Sequence, residues 1–167
     1  LLFSGPQNLS WVREFYCNMD SLDDIGPSFK TLVRSKPITV NPALLRELLG
    51  IGQVFPIFYL FLVRPTCDFN EVAHALCGFP RPWPSGSLIK QNELLPQFRL
   101  LNLIVCANVI VTTHSSEINQ DQGFVFQCLA QHRSIDLATL IIQKLVVAYA
   151  RNNLGLPYGC LINRLLA

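Results

Sequence analysis

A mainly α-helical fold, a compact multi-helix domain carrying a small β-hairpin in its N-terminal half, is predicted by three features of the sequence. The stretch "NPALLRELLG" is punctuated as a helix at both ends, with Asn41 as N-cap, Pro42 at the first helical position and Gly50 as the stop; Leu44, Leu45, Leu48 and Leu49 form one stripe. The run "SIDLATLIIQKLVVAYARN" has Asp136 as cap and a stripe at Leu137, Leu140, Ile141, Leu145 and Ala148, with the aliphatic stem of Lys144 in line. Only "FKTLVRSKPITV" reads otherwise. Its β-prone runs, Thr31 to Arg34 and Ile38 to Val40, flank a Ser-Lys-Pro break, the pattern of a short hairpin.

The remaining elements follow in order. "NLSWVREFYCNMD" places Leu9, Val12, Tyr16 and Met19 at helical spacing behind Asn8 or Ser10 as N-cap. "DFNEVAHALCG" predicts a short helix opened by Asp68 and Glu71 in an Asp variant of the capping box, buried through Val72, Ala75 and Leu76, and closed by Gly78. The three prolines and Gly-Ser pair of "FPRPWPSGS" predict a loop, which places an internal boundary near 79–92 between two halves of a single domain spanning 1–167, since neither half alone holds much core. Pro96 opens a helix from about Leu95 through "QFRLLNLIVCANVIV". "INQDQGFVFQCLAQH" has Asn119 as N-cap and a buried face of Phe124, Val125, Cys128 and Leu129, and "YGCLINRLL" forms a terminal helix with Leu161, Ile162 and Leu165 facing in.

Composition narrows the function classes. Half of the 167 residues are hydrophobic and 14% are charged, a balance that supports a packed core rather than disorder. The net charge is only +2, and the arginines are scattered along the chain, which gives little of the concentrated basic face a duplex-binding domain uses. The chain begins at Leu1 rather than Met, as a piece of a longer protein does, and no segment has the build of a secretory leader. The most apolar run, "IGQVFPIFYLFLV", carries Gln53 and Pro56 and is too short for a bilayer span, so no membrane span is expected. It reads instead as a buried segment or an adhesive patch, with Phe58, Leu60 and Phe61 as its interaction residues. The six cysteines are expected as reduced thiols in an intracellular setting, cytoplasm or nucleus.

Catalytic and metal signatures are weak throughout. His114, Ser115, Ser116 and Glu117 are adjacent in "VTTHSSEINQ", yet a nucleophilic serine draws its base and oxyanion donors from distant segments, and there is no Gly-x-Ser-x-Gly elbow; the stretch reads as a polar joint between helices. Cys67, His74 and Cys77 lack the fourth ligand and the paired spacing of structural zinc. Asp68, Glu71 and Asp136 sit where helix caps belong, which accounts for them without a two-metal site. Phosphate-loop and dinucleotide fingerprints are absent. For nucleic acid, the nearest approach to interleaved aromatic and basic residues is Trp11 with Arg13, joined by Arg34 and Arg46.

Taken together, "WVREFYCNM", "VRSKPITVNPALLRELLGI", "DFNEVAHALCG", Trp83, "TTHSSEI" and "IDLATLIIQKLVVAYARNNLGLPYGCLINRLL" resemble, in order and spacing, the plant transposon protein domain found in plant retroelement-like reading frames. The likeness covers nearly the whole chain. The family's Val-Arg-Gly-Lys segment has Ser35 in place of its usual glycine here, "VFPIFYLFLV" is more apolar than the family's insert, and "RLLNLIV" lacks a usual Trp. The resemblance implies mobile-element ancestry and brings no catalytic residues with it. The expected function is a non-enzymatic structural or interaction module of a retrotransposon-derived protein, gag-like in assembly, without cofactor or metal. Its expected partners are a second copy or another protein, with nucleic acid through Trp11, Arg13, Arg34 and Arg46 as the alternative and metal-dependent DNA processing a further one.

Overall fold

Local punctuation sets most of the element boundaries in the computed structural model, which describes residues 7–20, 27–54, 67–86, 88–112, 115–150 and 156–167. Among these residues the order is α1 (Leu9–Cys17), β1 (Phe29–Val33), β2 (Lys36–Val40), α2 (Pro42–Leu49), α3 (Phe69–Cys77), β3 (Ile89–Lys90), a 3-10 turn at Gln91–Glu93, α4 (Pro96–Asn108), β4 (Glu117–Ile118), α5 (Gln120–Ala130), α6 (Leu137–Ala150) and α7 (Gly159–Leu166). Among the described residues seven helices and a hairpin of two five-residue strands make the fold mainly α, as the sequence predicts. The described residues fall into two compact units: the first takes 7–20, 27–53, 136–150 and 156–167, and the second 54, 67–86, 88–112 and 115–135. The proline-rich loop at 79–86 lies inside the second unit.

In the first unit, α1 packs on β1 and α7, and α2 packs on α6. The Asn8 side chain accepts the backbone N–H groups of Ser10 and Trp11 at the start of α1, satisfying donors that a helix leaves open. Val12, Phe15 and Tyr16 are the buried face, and Phe15 meets Phe29 of β1 edge to face at 5.9 Å. Thr31, buried on the same strand face, donates its hydroxyl to the Phe15 carbonyl at 2.7 Å, so its polarity is matched. The Tyr16 hydroxyl donates to the Pro157 carbonyl at 2.8 Å, and burial pushes its pKa up. Asn41 accepts the Leu44 N–H at 2.9 Å, and α2 ends with Gly50 at φ 65°, where the Gly50 and Ile51 N–H groups return to the Glu47 and Arg46 carbonyls.

The hairpin turn lies one step earlier than the Ser-Lys-Pro break suggests. Lys36 and Pro37 belong to β2, opposite Val33 and Leu32, and the loop is the two residues Arg34 and Ser35 at φ 52° and 63°. Both left-handed conformations match the twist of a two-residue hairpin, and Pro37 is tolerated because a two-stranded ribbon leaves outer edges unpaired. A side chain at left-handed φ carries a steric penalty that glycine avoids. Ser35→Gly is therefore expected to raise the unfolding free energy by about 0.5–1 kcal/mol, read as a rise in the thermal midpoint. A neutral or negative shift would show that the turn is not strained at this position.

The second unit is built on α5, which packs against α3 and α4. Asn119 and Gln122 form a reciprocal capping box at 2.9 Å in each direction. At α3 the Asp68 side chain accepts the Asn70 N–H at 2.8 Å, and Gly78 closes the helix at φ 81°. The buried face of α3 is Val72, Ala73, Leu76 and Cys77; Ala75, expected inside, is exposed, because the stripe follows 72, 73, 76, 77. Leu129 is likewise exposed, one residue from the end of α5. Trp83 folds back on α3, its backbone N–H donating to the Asn70 side chain at 2.9 Å and its ring meeting Phe69 at 5.5 Å. The stretch Ser115–Ile118 does more than connect helices. Glu117 and Ile118 pair with Lys90 and Ile89 in a short antiparallel ladder that buries Ile89 and Ile118 completely.

Candidate functional site

Helix α4 has its polarity arranged against the usual rule. Asn102 is fully buried and Asn108 nearly so, whereas Leu100, Leu103 and Ile104 are 63%, 48% and 51% exposed. The inward polar groups are matched: the Asn102 amide donates to the Ser115 carbonyl at 2.7 Å, its carbonyl oxygen accepts from the Cys106 thiol at 3.2 Å, and the Gln122 amide of α5 lies 3.1 Å from the Cys106 sulfur. Asn108 donates back to the Ile104 carbonyl at 2.8 Å. This network fixes which side of α4 faces α5. Leu100, Leu103 and Ile104, spaced i, i+3 and i+4, are thereby turned outward as one apolar ridge. The ridge carries no charge; Arg99, its neighbour in sequence, directs its guanidinium to the Leu94 and Asn92 carbonyls at 2.9 Å each.

The sequence-derived nucleic-acid set does not gather at one place. Arg46 donates to the buried carboxylate of Asp136 at 2.5 Å, where α2 meets α6, and serves the packing of the first unit. Trp11 is half-buried, with its indole N–H enclosed. Arg13 on α1 and Arg34 at the hairpin turn are exposed, and Glu14 stands beside them, accepting the Arg34 backbone N–H at 2.7 Å. The interaction residues Phe58, Leu60 and Phe61 lie outside the described residues, as does His114. The α4 ridge is the surface that the sequence reading missed. Its spacing was visible, but apolar residues occupy both sides of this helix, and only the distant partners Ser115 and Gln122 decide which side is in.

The match to known families decides the lineage. A family model described as "Putative plant retrotransposon-related domain" matches residues 3–167, essentially the whole chain. The chain belongs to that plant retrotransposon-related domain family. No curated protein and no solved structure matches it.

In this retrotransposon-related domain the carboxylates weighed as metal-site candidates serve local structure. Asp68 caps α3, and Asp136 caps α6 while pairing with Arg46. Among the described residues, no three His, Cys, Asp or Glu side chains gather as a metal site. No disulfide joins any of the six cysteines, and burial pushes the Cys67, Cys77, Cys106 and Cys128 thiols up, away from the thiolate a nucleophile requires. Arg81 lies beside the Cys77 sulfur at 3.8 Å, but its charge is taken by Glu93. An open hollow of about 330 Å³ lined by Lys90, Gln91, Asn92, Ser116 and Glu117 sits over the β3–β4 ladder. Its two charged residues, Lys90 and Glu117, are cross-strand partners. Among the described residues no helix is long and apolar enough to cross a membrane.

Proposed function

We infer that this domain is a non-enzymatic interaction module of a retrotransposon-derived protein, gag-like in that it assembles through protein contacts. The observation that carries the reading is the exposed, uncharged ridge of Leu100, Leu103 and Ile104 on α4. Scattered exposed leucines are ordinary, but three adjacent large side chains at helical contact spacing form the kind of surface another helix covers. Full burial of an aliphatic side chain is worth about 1.5–3 kcal/mol. Covering three half-exposed ones on each of two copies gives a gain on the order of 6 kcal/mol, offset by the lost freedom of association. Self-association through this ridge is therefore expected to be weak and concentration-dependent.

Size-exclusion chromatography with light scattering over a hundredfold range of concentration tests this. The mass of the wild-type chain is expected to rise with concentration, and Leu100→Gln, Leu103→Gln and Ile104→Gln together are expected to hold it at the monomer value while the variant still unfolds cooperatively, at a lowered melting temperature because about half of each side chain is buried. A wild-type mass that stays monomeric throughout, or a triple variant that assembles equally well, would remove the ridge as the assembly surface.

A further inference from the structure

The first unit carries a second surface, independent of α4 and of the assembly reading. Residues 27–41 include Lys30, Arg34 and Lys36 and no acidic residue, a local concentration of cations in a chain whose net charge is +2. All three side chains are exposed. The ion pairs among the described residues are Arg46 with Asp136 and Arg81 with Glu93, so none of the three has a carboxylate partner there. Among the described residues two acidic residues border the hairpin: the Glu14 carboxylate accepts the Arg34 backbone N–H at the turn, and Asp20 donates its backbone N–H to the Lys30 carbonyl.

Strand alternation arranges the rest. Phe29, Thr31 and Val33 point into the core, so Lys30 and Leu32 face solvent with their cross-strand partners Thr39 and Pro37. Arg34 stands in the turn, and Lys36, paired with the inward Val33, is exposed at the tip on the opposite side of the pleat from Lys30. Lys30 is three residues along β1 from the level of Lys36, which is about 10 Å of strand. The outer face is thus a narrow ribbon with Lys30 at its base and Leu32 and Pro37 as an apolar shelf, leading to a tip where Arg34 and, on the other side of the pleat, Lys36 are exposed. Thr39 and Ser35 add hydroxyls at either end.

We propose that the outer face and tip of the β1–β2 hairpin bind the phosphate backbone of single-stranded nucleic acid, with Lys30 on that face and Arg34 and Lys36 around the tip as the contacting cations. The charge supplies the attraction, the spacing engages more than one phosphate, and the Leu32–Pro37 shelf gives unpaired bases an apolar surface that a duplex would not use. One leucine and one proline are too little apolar area for insertion into a bilayer, which separates this ribbon from a lipid-binding hairpin. No aromatic ring lies on this face, so phosphate contacts dominate and binding falls steeply with salt.

The test is fluorescence anisotropy of a labelled oligouridine titrated with the full chain at several salt concentrations. Three contacts at about −0.7 each give an expected slope of log K on log salt near −2. Lys30→Gln with Lys36→Gln is expected to bring that slope to about −0.7 and weaken binding severalfold at low salt. A charge-matched control on the second unit, Lys90→Gln with Arg133→Gln, leaves both unchanged, and Lys30→Arg with Lys36→Arg retains binding. Thermal melts of each variant separate loss of binding from loss of fold. Equal weakening by the hairpin and control pairs would reduce the effect to net charge and overturn the proposal. So would absent or salt-independent binding, or hairpin-dependent binding to phosphatidylserine vesicles without binding to oligouridine.

Discussion

Arg46→Met is expected to lower the unfolding free energy by about 3 kcal/mol. Asp136 is 2% exposed, and its carboxylate is held by the Arg46 guanidinium at 2.5 Å, the Thr139 hydroxyl at 2.8 Å and the Thr139 N–H at 3.4 Å. Methionine keeps the apolar stem of the side chain in place but leaves a buried charge with only neutral donors. The loss is therefore set by the stranded carboxylate rather than by the net worth of the pair. It follows that Asp136→Ser, which keeps a capping oxygen for α6 and removes the charge, is expected to restore most of the stability when combined with Arg46→Met. Urea unfolding of the two single variants and the double variant measures the coupling directly. A single-variant loss below about 1 kcal/mol would mean that the pair is effectively solvent-screened, and additive losses would mean that the carboxylate is not the cause.

How much of this was legible in the sequence depends on the range over which each feature is decided. The boundaries of α2 could be read because Asn41, Pro42 and Gly50 act within one turn of themselves. The hairpin is legible, but the Ser-Lys-Pro break points one step past its turn: the residues that adopt left-handed φ are Arg34 and Ser35, and neither carries the glycine or asparagine signal such a turn usually gives. Local spacing identifies Asp136 as a cap, but its partner Arg46 lies 90 residues away, and nothing near Arg46 in sequence signals that its charge is paired. The outward ridge of α4 was illegible for a related reason. Phe98, Val105 and Cys106 on one side and Leu100, Leu103 and Ile104 on the other give the helix little amphipathic contrast, and the buried Asn102–Gln122–Cys106 network supplies the orientation. The retroelement lineage, by contrast, was carried by motif order along the whole chain and is shared by the family match over residues 3–167.

Gly123→Val is expected to destabilise the domain by about 3 kcal/mol. Gly123 is buried in α5, and a Cβ added there would stand 2.7 Å from Cη2 and 2.9 Å from Cζ3 of Trp83, with Val72 Cγ1 at 3.4 Å. The indole cannot swing aside cheaply: it is 9% exposed, stacked edge-on against Phe69, and anchored by the Trp83 backbone bond to Asn70. A glycine within a helix ordinarily weakens it by about 1 kcal/mol relative to alanine, so its presence in the first turn of α5 is explained by the ring that occupies the space of its missing side chain. This gives the prediction a second arm. Trp83→Leu alone opens a cavity and is expected to cost about 3 kcal/mol, whereas Trp83→Leu combined with Gly123→Ala refills part of it and regains helix propensity, so the double variant is expected to be more stable than Trp83→Leu alone. Chemical denaturation of the four species decides the matter. If Gly123→Ala in the wild-type background stabilises the protein by its full propensity gain, the indole yields freely and the contact between α5 and Trp83 is not a tight one.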